Sequence, residues 1–227
     1  FTAGIQTLVD AAAARVGGVR RQRVSALGCT GRHWEVEGLG PFERVIVATE
    51  AAGLAQLLGI EVPIRSSGLL VAHWLAADAR FPRGFGYLAP CSEGRGVLGT
   101  VFASDLNPAR FPPGRRGFTT MLGGTQRPAD VALPEGQVRS ILREEHRQLT
   151  GHDVTIEALH LVRHPRAVAL PEPGHLSRVA QVHGSLPEGI YAAGSWCGAG
   201  ATADAVSAGH LAAARVLESR GELSHVA

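Results

Sequence analysis

The sequence predicts a mixed α/β (α+β) fold with two interleaved lobes, and three observations support this prediction. Both ends of the chain carry a buried strand followed by a helix, which is the pattern of an α/β layer. The middle of the chain carries strands joined by hairpin-like turns, which predicts an antiparallel sheet. The length of 227 residues, 45% of them hydrophobic, suffices for one large or two small cores. We therefore expect an α/β lobe built from both chain ends and an antiparallel lobe inserted between them.

The first sixty residues supply the first part of the α/β lobe. An apolar stripe at helical spacing runs from Ile5 to Val16 and stops at two glycines. Alternating and apolar runs predict strands over Val19–Leu27, Trp34–Val36 and Phe42–Ala48. The last of these strands turns directly into a predicted helix that ends at Gly59.

The middle of the chain predicts an antiparallel sheet and a long helix. The strands are expected over Val62–Trp74, Phe85–Ala89, Val97–Ala103, 117–124 and Val154–Val162. The segment Pro134–Gly151 is amphipathic and predicts a helix with one apolar face. An irregular stretch is expected after Val162, followed by a short helix in which His175 and Arg178 fix the helix to the preceding loop.

The stretch Leu186–Gly209 is the strongest candidate for a site. A short apolar strand is predicted over Gly189–Ala193, a glycine-rich turn over Gly194–Gly200, and a helix from Thr202, with Thr202 as the N-cap. A glycine turn beside a helix N-terminus can hold an anion or a cofactor. An ordinary strand–loop–helix connection explains the same pattern, and both interpretations stay open at this point.

The composition argues against several classes of function. The net charge of +2 is small and no basic block stands out, so a nucleic-acid partner is not expected. The three cysteines lack CxxC spacing, which argues against a metal site or a disulfide framework and suits a reducing compartment. No membrane span or signal peptide is visible. The chain begins with Phe1, which raises the hypothesis of a fragment or a processed product.

Several ordered motifs resemble the C-terminal half of the protoporphyrinogen oxidases, in the flavin amine-oxidase superfamily. The most specific is GFGYLAPCSEGRGVLGTVFAS, from Gly84, which is similar to a GFGxLxPxxEG hairpin followed by LGTxFSS. FTAGIQTL at the start, RVIVAT, MLGG, ALPEPGHLSRV and the final IYAAGSWCGAGATADAVSAG resemble further segments of that family in the same order. ALPEPGHLSRV is two residues shorter than the family pattern.

The resemblance implies a domain organisation and a cofactor. Residues 1–60 and 161–227 would form parts of an FAD/NAD(P)-binding-type lobe, and residues 61–160 an antiparallel substrate-binding lobe. The cofactor would be FAD, held noncovalently. The GxGxxG segment that binds the ADP part of FAD in this family has no counterpart here. We therefore expect FAD binding by this chain alone to be weak or absent. A separate N-terminal half as a partner and a truncated chain are both open explanations of the missing segment.

The implied function is the FAD-dependent oxidation of a porphyrinogen, protoporphyrinogen IX or coproporphyrinogen III, in heme biosynthesis. Oxygen or another electron acceptor would reoxidise the flavin. The implied location is the cytoplasm, with attachment to the inner face of the plasma membrane left open. A carotenoid desaturase, an amine oxidase, or a non-catalytic fragment or subunit stay as alternatives.

The resemblance also assigns roles to individual residues, with no catalytic residue among them. The residues implied to contact the flavin ring and its ribityl chain are Gly194, Ser195, Gly200, Ala201 and Thr202. Val24 would meet the adenine end, and His164 would lie beside the flavin at an irregular turn. The helix from Thr202 would place its positive dipole end under the pyrimidine edge of the flavin.

Three residues are implied to face the porphyrinogen rings, namely Tyr87, Val101 and Met121. For these three residues and for Val24, plain core packing is an equally good interpretation, and a surface position is an alternative for His164. Covalent flavin attachment at Cys197 is a further alternative that the family resemblance disfavours.

Overall fold

The computed structural model describes residues 4–219 and residue 221. The start of the FTAGIQTL motif, Phe1–Ala3, and the end of the chain after residue 221 lie outside the described residues. The helices are α1 (Gln6–Val16), α2 (Ala51–Leu58), α3 (Ala103–Leu106), α4 (Glu135–Thr150), α5 (His175–Ser185) and α6 (Thr202–Ser219). The strands are β1 (Leu27–Thr30), β2 (His33–Val36), β3 (Gly40–Phe42), β4 (Val45–Val47), β5 (Ser66–Ala76), β6 (Gly86–Leu88), β7 (Gly99–Val101), β8 (Arg116–Gly123), β9 (Ala158–Ala169) and β10 (Ile190–Ala192).

The middle of the chain forms a five-stranded antiparallel sheet in the order β6-β7-β8-β5-β9. Alternate residues of β5 and β8, such as Leu70 and Leu122, point to one face and are fully buried. Val138 and Leu142 of α4 belong to the same apolar core. The antiparallel sheet and the amphipathic helix are thus both confirmed, because α4 supplies the apolar cover that one face of this sheet requires.

A second core joins the two ends of the chain. β4 and β10 pair in parallel, with Val45 opposite Ile190, although these residues lie far apart in sequence. β1, β2 and β3 form a separate antiparallel sheet. The buried residues of this core include Trp34 from β2, Leu54 from α2 and Val182 from α5. The mixed α/β fold class is confirmed, whereas the division of the chain at residues 60 and 160 stays a prediction.

Two predicted local structures are wrong. The segment Val19–Leu27 does not form a strand before Leu27, where β1 begins. Side-chain hydrogen bonds tie it to the turn after β2 instead, because Ser25 donates from its amide and its hydroxyl to the Glu37 carboxylate, at 3.0 and 2.5 Å. The prediction of an irregular stretch after Val162 is also wrong, because β9 continues to Ala169. Its last residues pair with β5 beyond a register shift between Ser67 and Leu69.

Candidate functional site

The predicted glycine turn follows directly from the parallel pair of strands. The amide of Ala193 donates to the Val47 carbonyl at 3.0 Å, and the indole Nε1 of Trp196 donates to the Thr49 carbonyl at 3.0 Å. Gly194 between them has φ +151°, and a Cβ there would lie 2.7 Å from the Trp196 indole nitrogen. The close approach of Trp196 to the end of β4 therefore requires glycine at this position.

His175, at the start of α5, holds the far side of the turn. Its Nε2 lies 2.9 Å from the Trp196 carbonyl oxygen and 3.0 Å from that of Gly198. Because both neighbours are acceptors, Nε2 carries the proton and donates. The imidazole is buried, and its Nδ1 has no hydrogen-bond partner in the part of the chain that the structure describes. Arg178 does bind the preceding loop as expected, through the Pro173 carbonyl at 3.0 Å.

The first turn of α6 is tied to the glycine turn by Asp204, and Thr202 lies within the helix. Thr202 is the first residue of the helix, so its prediction as N-cap is wrong. One carboxylate oxygen of Asp204 accepts from the amide of Ala199 at 3.1 Å and from that of Ala201 at 2.8 Å. An acidic side chain in the first turn thus satisfies two amides of the glycine turn. The first amides of the helix itself have no intrahelical acceptor and face its open end.

The rim of the turn consists of the half-buried Gly200 and the exposed Ala201 and Thr202. Gly200 has φ +96°, a conformation that disfavours any side chain, although a Cβ there would only touch Val168 at 3.5 Å. Its amide donates to the Ser195 carbonyl at 3.1 Å, which closes the turn. Ala201 and Thr202 are exposed. The five residues predicted to contact the flavin ring are therefore adjacent, and three of them form an accessible edge at a helix N-terminus.

Two further predicted contacts lie elsewhere. Val24 is half-buried in the extended segment between α1 and β1, next to residues that hydrogen-bond to the turn after β2. His164 is exposed in β9, opposite Leu69, so its placement at an irregular turn is wrong. The flavin roles of Val24 and His164 stay predictions.

The face of the five-stranded sheet opposite α4 is called the open face, and it carries Val101 and Met121. Residues directly opposite one another on neighbouring strands share a face, and neighbours along a strand alternate. Tyr87 pairs with Thr100, and Thr100 pairs with the buried Thr120 on the α4 side. Tyr87 therefore points away from the open face, and the structure does not bring it together with Val101 and Met121.

Tyr87 takes part in a polar cluster beneath α4. Its hydroxyl donates to the carboxylate of the buried Glu145 at 3.0 Å and accepts from Thr100 at 3.2 Å. Arg95 donates to the same carboxylate at 3.1 Å. Burial is the largest cause that raises the pKa of Tyr87 well above its usual range, and the negative charge of Glu145 adds to it. The phenol thus stays protonated and supports the packing of α4 on the sheet.

Cys197 is a half-buried thiol inside the turn. Burial raises its pKa to about 11, against a smaller opposing effect of Arg215. The thiol is therefore protonated at neutral pH and is a poor nucleophile.

Among the described residues, no helix is both long and apolar enough to cross a bilayer.

Comparisons with known proteins identify the family and the fold. The model of the flavin-containing amine oxidoreductase family matches residues 2–217. The chloroplastic protoporphyrinogen oxidase of Oryza sativa subsp. japonica is 29% identical over 111 residues, which cover 48% of this chain and 21% of that protein. That of Arabidopsis thaliana is 28% identical over 120 residues, or 50% of this chain and 22% of that protein.

Among solved structures, a protein described as a protoporphyrinogen oxidase from Exiguobacterium sp. 255-15 has a TM-score of 0.79 at 14% identity. The similarity covers 96% of this chain and 52% of that one. Wild-type putrescine oxidase has a TM-score of 0.67 at 12% identity, over 95% of this chain and 53% of its own. At these identities the likeness shows a shared fold. The chain spans about half the length of both solved relatives.

Proposed function

Because this chain belongs to the flavin-containing amine oxidoreductase family, we propose that it supplies the flavin-ring end and one substrate wall of an FAD-dependent porphyrinogen oxidase. The family implies a flavin cofactor and an oxidoreductase activity. The finer assignment, to oxidation of protoporphyrinogen or coproporphyrinogen in heme biosynthesis, is supported by the sequence similarity to the rice protein.

The observation that carries the proposal is the accessible edge of the glycine turn at the start of α6. Gly194 and Gly200 bring no side chain there, and Trp196 and His175 fix the turn from behind. A flat ring edge with partial negative charge fits this edge, because the first amides of a helix attract such charge. Gly194, Ser195, Gly200, Ala201 and Thr202 would hold the ring of a noncovalently bound FAD.

The bound flavin supplies two-electron oxidation, with oxygen or another acceptor taking the electrons onward. The residues of this chain bind and orient. The dipole of α6 favours negative charge at the open end of the helix. Asp204 keeps the turn in shape by accepting from two of its amides. The raised pKa of Cys197 supports noncovalent binding, because a protonated thiol does not attack a flavin.

A complementary half that carries the nucleotide-binding segment is part of the proposal. The parallel sheet of β4 and β10 has two strands within the described residues, whereas parallel sheets are normally larger and covered on both faces. α1 has no buried residue, and its Val9 and Val16 are 58% and 79% exposed. Such surfaces suit contact with further polypeptide. A cytoplasmic location, with attachment to the membrane surface through that half, is proposed on the family resemblance.

An amine oxidase is the second candidate, since putrescine oxidase shares the fold. The two candidates differ in the substrate that meets the open face. A porphyrinogen is a broad, largely apolar ring, which suits Val101 and Met121, whereas an alkylamine requires anionic or aromatic groups around its cation.

A substrate panel on the complex of this chain with an N-terminal half separates the two candidates. We expect oxidation of protoporphyrinogen or coproporphyrinogen and none of putrescine. Met121→Glu should raise the KM for the porphyrinogen about tenfold or more, since a charge would be buried against the ring. Leu149→Glu, at a leucine of α4 that is 41% exposed and lies away from the open face, is the matched control. Turnover of putrescine alone would overturn the porphyrinogen assignment and leave the flavin site in place.

A further inference from the structure

A cavity of about 320 Å³ lies where the loop between α3 and β8 crosses the open face. Arg110, Phe111 and Pro112 of this loop form its roof, and Thr119 and His73 lie in its floor. The loop comes close because Gly117 has no side chain. A Cβ on Gly117 would lie 1.9 Å from the Phe111 ring. The contact between ring and backbone gives the cavity an aromatic wall.

Two histidines stand side by side in the floor of this cavity. His73 of β5 lies directly opposite His160 of β9, and their rings stack with centroids 6.4 Å apart and an interplanar angle of 18°. The Nδ1 of His73 lies 3.0 Å from the Thr119 hydroxyl, which orients the ring. Both imidazoles are exposed. With Val101, which is opposite Thr119, these residues form one row across the open face.

The charged groups around the cavity favour an anion. Arg110 of the loop is one of the lining residues, and no acidic side chain lines the cavity among residues 4–219. Glu157, the acid directly before β9, is paired with Arg115. Partial desolvation and the neighbouring His160 lower the pKa of His73, so its imidazole is protonated less readily than a free histidine side chain. A bound carboxylate would reverse this shift, because it favours the charged imidazolium.

The position of the pair also matches a ligand that is apolar at one end and acidic at the other. His164 lies four residues along β9 from His160, which is about 13 Å at the rise of a strand. Between the two rows that contain these residues lies an apolar row of Met121, Val71 and Val162. If His164 lies beside the flavin, a ring over the apolar row would direct its acidic side chains towards His73 and His160.

We propose that His73 and His160, in the cavity that the loop between α3 and β8 covers, bind a propionate carboxylate of the substrate. The identity of the ligand rests on the proposed function, since porphyrinogens carry propionate side chains on an otherwise apolar ring. The carboxylate-binding chemistry of the cavity rests on the structure alone. The row of polar residues would therefore set the direction in which the ring enters.

The site can be tested with a small carboxylate on the 227-residue chain itself. Histidine side-chain NMR with 3-phenylpropionate should shift the resonances of His73 and His160 and raise the pKa of His73. The neutral 3-phenylpropanamide should leave them unchanged. His73→Gln and His160→Gln should each weaken binding of phenylpropionate roughly tenfold, the loss of one hydrogen bond to a charged group. His210→Gln, an exposed histidine of α6, is the matched control.

Protoporphyrin and its dimethyl ester then identify the source of the carboxylate. Tighter binding of the free acid than of the ester, lost in His73→Gln, supports the substrate assignment. If phenylpropionate binds at the pair but protoporphyrin does not, the assignment of the carboxylate to the substrate is overturned and the carboxylate site stands. If phenylpropionate leaves both histidines unshifted, the site itself is overturned, whatever the porphyrinogen assay on the reconstituted enzyme gives.

Discussion

The antiparallel lobe and the α/β lobe differ in how much apolar surface they cover with their own residues. In the antiparallel lobe, α4 covers one face of the sheet, and Leu70, Leu122 and Val138 are fully buried. In the α/β lobe, α1 has no buried residue and the parallel sheet has two strands within residues 4–219. The first lobe therefore has a core that its own chain completes. The α/β lobe leaves apolar surface exposed, which the proposed complementary half would cover.

The sharpest test of this difference compares a leucine from each lobe. Leu70→Ala should lower the free energy of unfolding by about 2–5 kcal/mol, because it opens a cavity in a packed core. Leu8→Ala, in the exposed α1, should change it by about 0.5 kcal/mol or less. Urea unfolding followed by circular dichroism measures both. Equal losses would mean that α1 is packed within this chain, and would remove the contrast.

A smaller loss is expected at the anchor of the glycine turn. His175→Ala removes the donor to two carbonyls, those of Trp196 and Gly198, and should cost about 1–3 kcal/mol. His210→Ala in α6 is the control and should be neutral. Thermal unfolding measures the stability, and the flavin content of the reconstituted complex should fall in parallel. Full flavin retention in His175→Ala would show that the turn keeps its shape without this anchor.

The smallest effect is a pH dependence confined to the antiparallel lobe. Burial is the main cause that lowers the pKa of His146, against smaller opposing effects of the His152 carbonyl and Asp78. Its Nε2 accepts from the Arg80 amide at 2.9 Å, so the neutral ring is required. Because the folded pKa lies below the usual 6.5, this contribution is complete above that value and is lost as pH falls through 6.5 towards the folded pKa.

The comparison of His146→Asn with the unmodified chain isolates the pH-dependent contribution of His146 to the free energy of unfolding. His73 and His183 also have lowered pKa values, and both are retained in the variant. Urea midpoints between pH 7.5 and roughly pH 5 should fall less steeply in His146→Asn. A slope unchanged by the substitution would mean that His146 does not titrate with unfolding.

The sequence predicts well those features that depend on neighbours along the chain. The hairpin of β6 and β7, the helix α4 and the final strand–turn–helix all follow local apolar spacing and glycine placement. Their existence and type are correct, and their ends shift by a few residues. Gly194 and Cys197 of the glycine turn lie next to Thr202 at the start of α6 because these residues are close in sequence.

Features that depend on distant partners are missed. Tyr87 points towards α4 because of its register with Thr100, which the hairpin sequence does not specify. Val19–Leu27 alternates like a strand but finds no strand beside it. His175 bonds to a turn that lies 21 residues later, and no periodicity signals such a contact. The hydrogen bonds of Asp204 to the glycine turn differ from these contacts. An acidic residue in the first turn of a helix is a local signal, and it can be read from the sequence.

Flavin binding by the glycine turn is the central claim, and flavin retention tests it most directly. The chain is purified with FAD, alone and with the N-terminal half of a family member supplied in trans. Gly200→Val places a branched side chain at φ +96° on the proposed flavin edge. Gly151→Val, at φ +75° after α4 with open space around it, controls for backbone strain alone.

We predict flavin absorbance that co-purifies with the two halves together, persists in Gly151→Val and is lost in Gly200→Val. Circular dichroism should show that both variants remain folded. Equal flavin retention by the two variants, or no flavin with the halves combined, would contradict the assignment of this turn to the flavin ring.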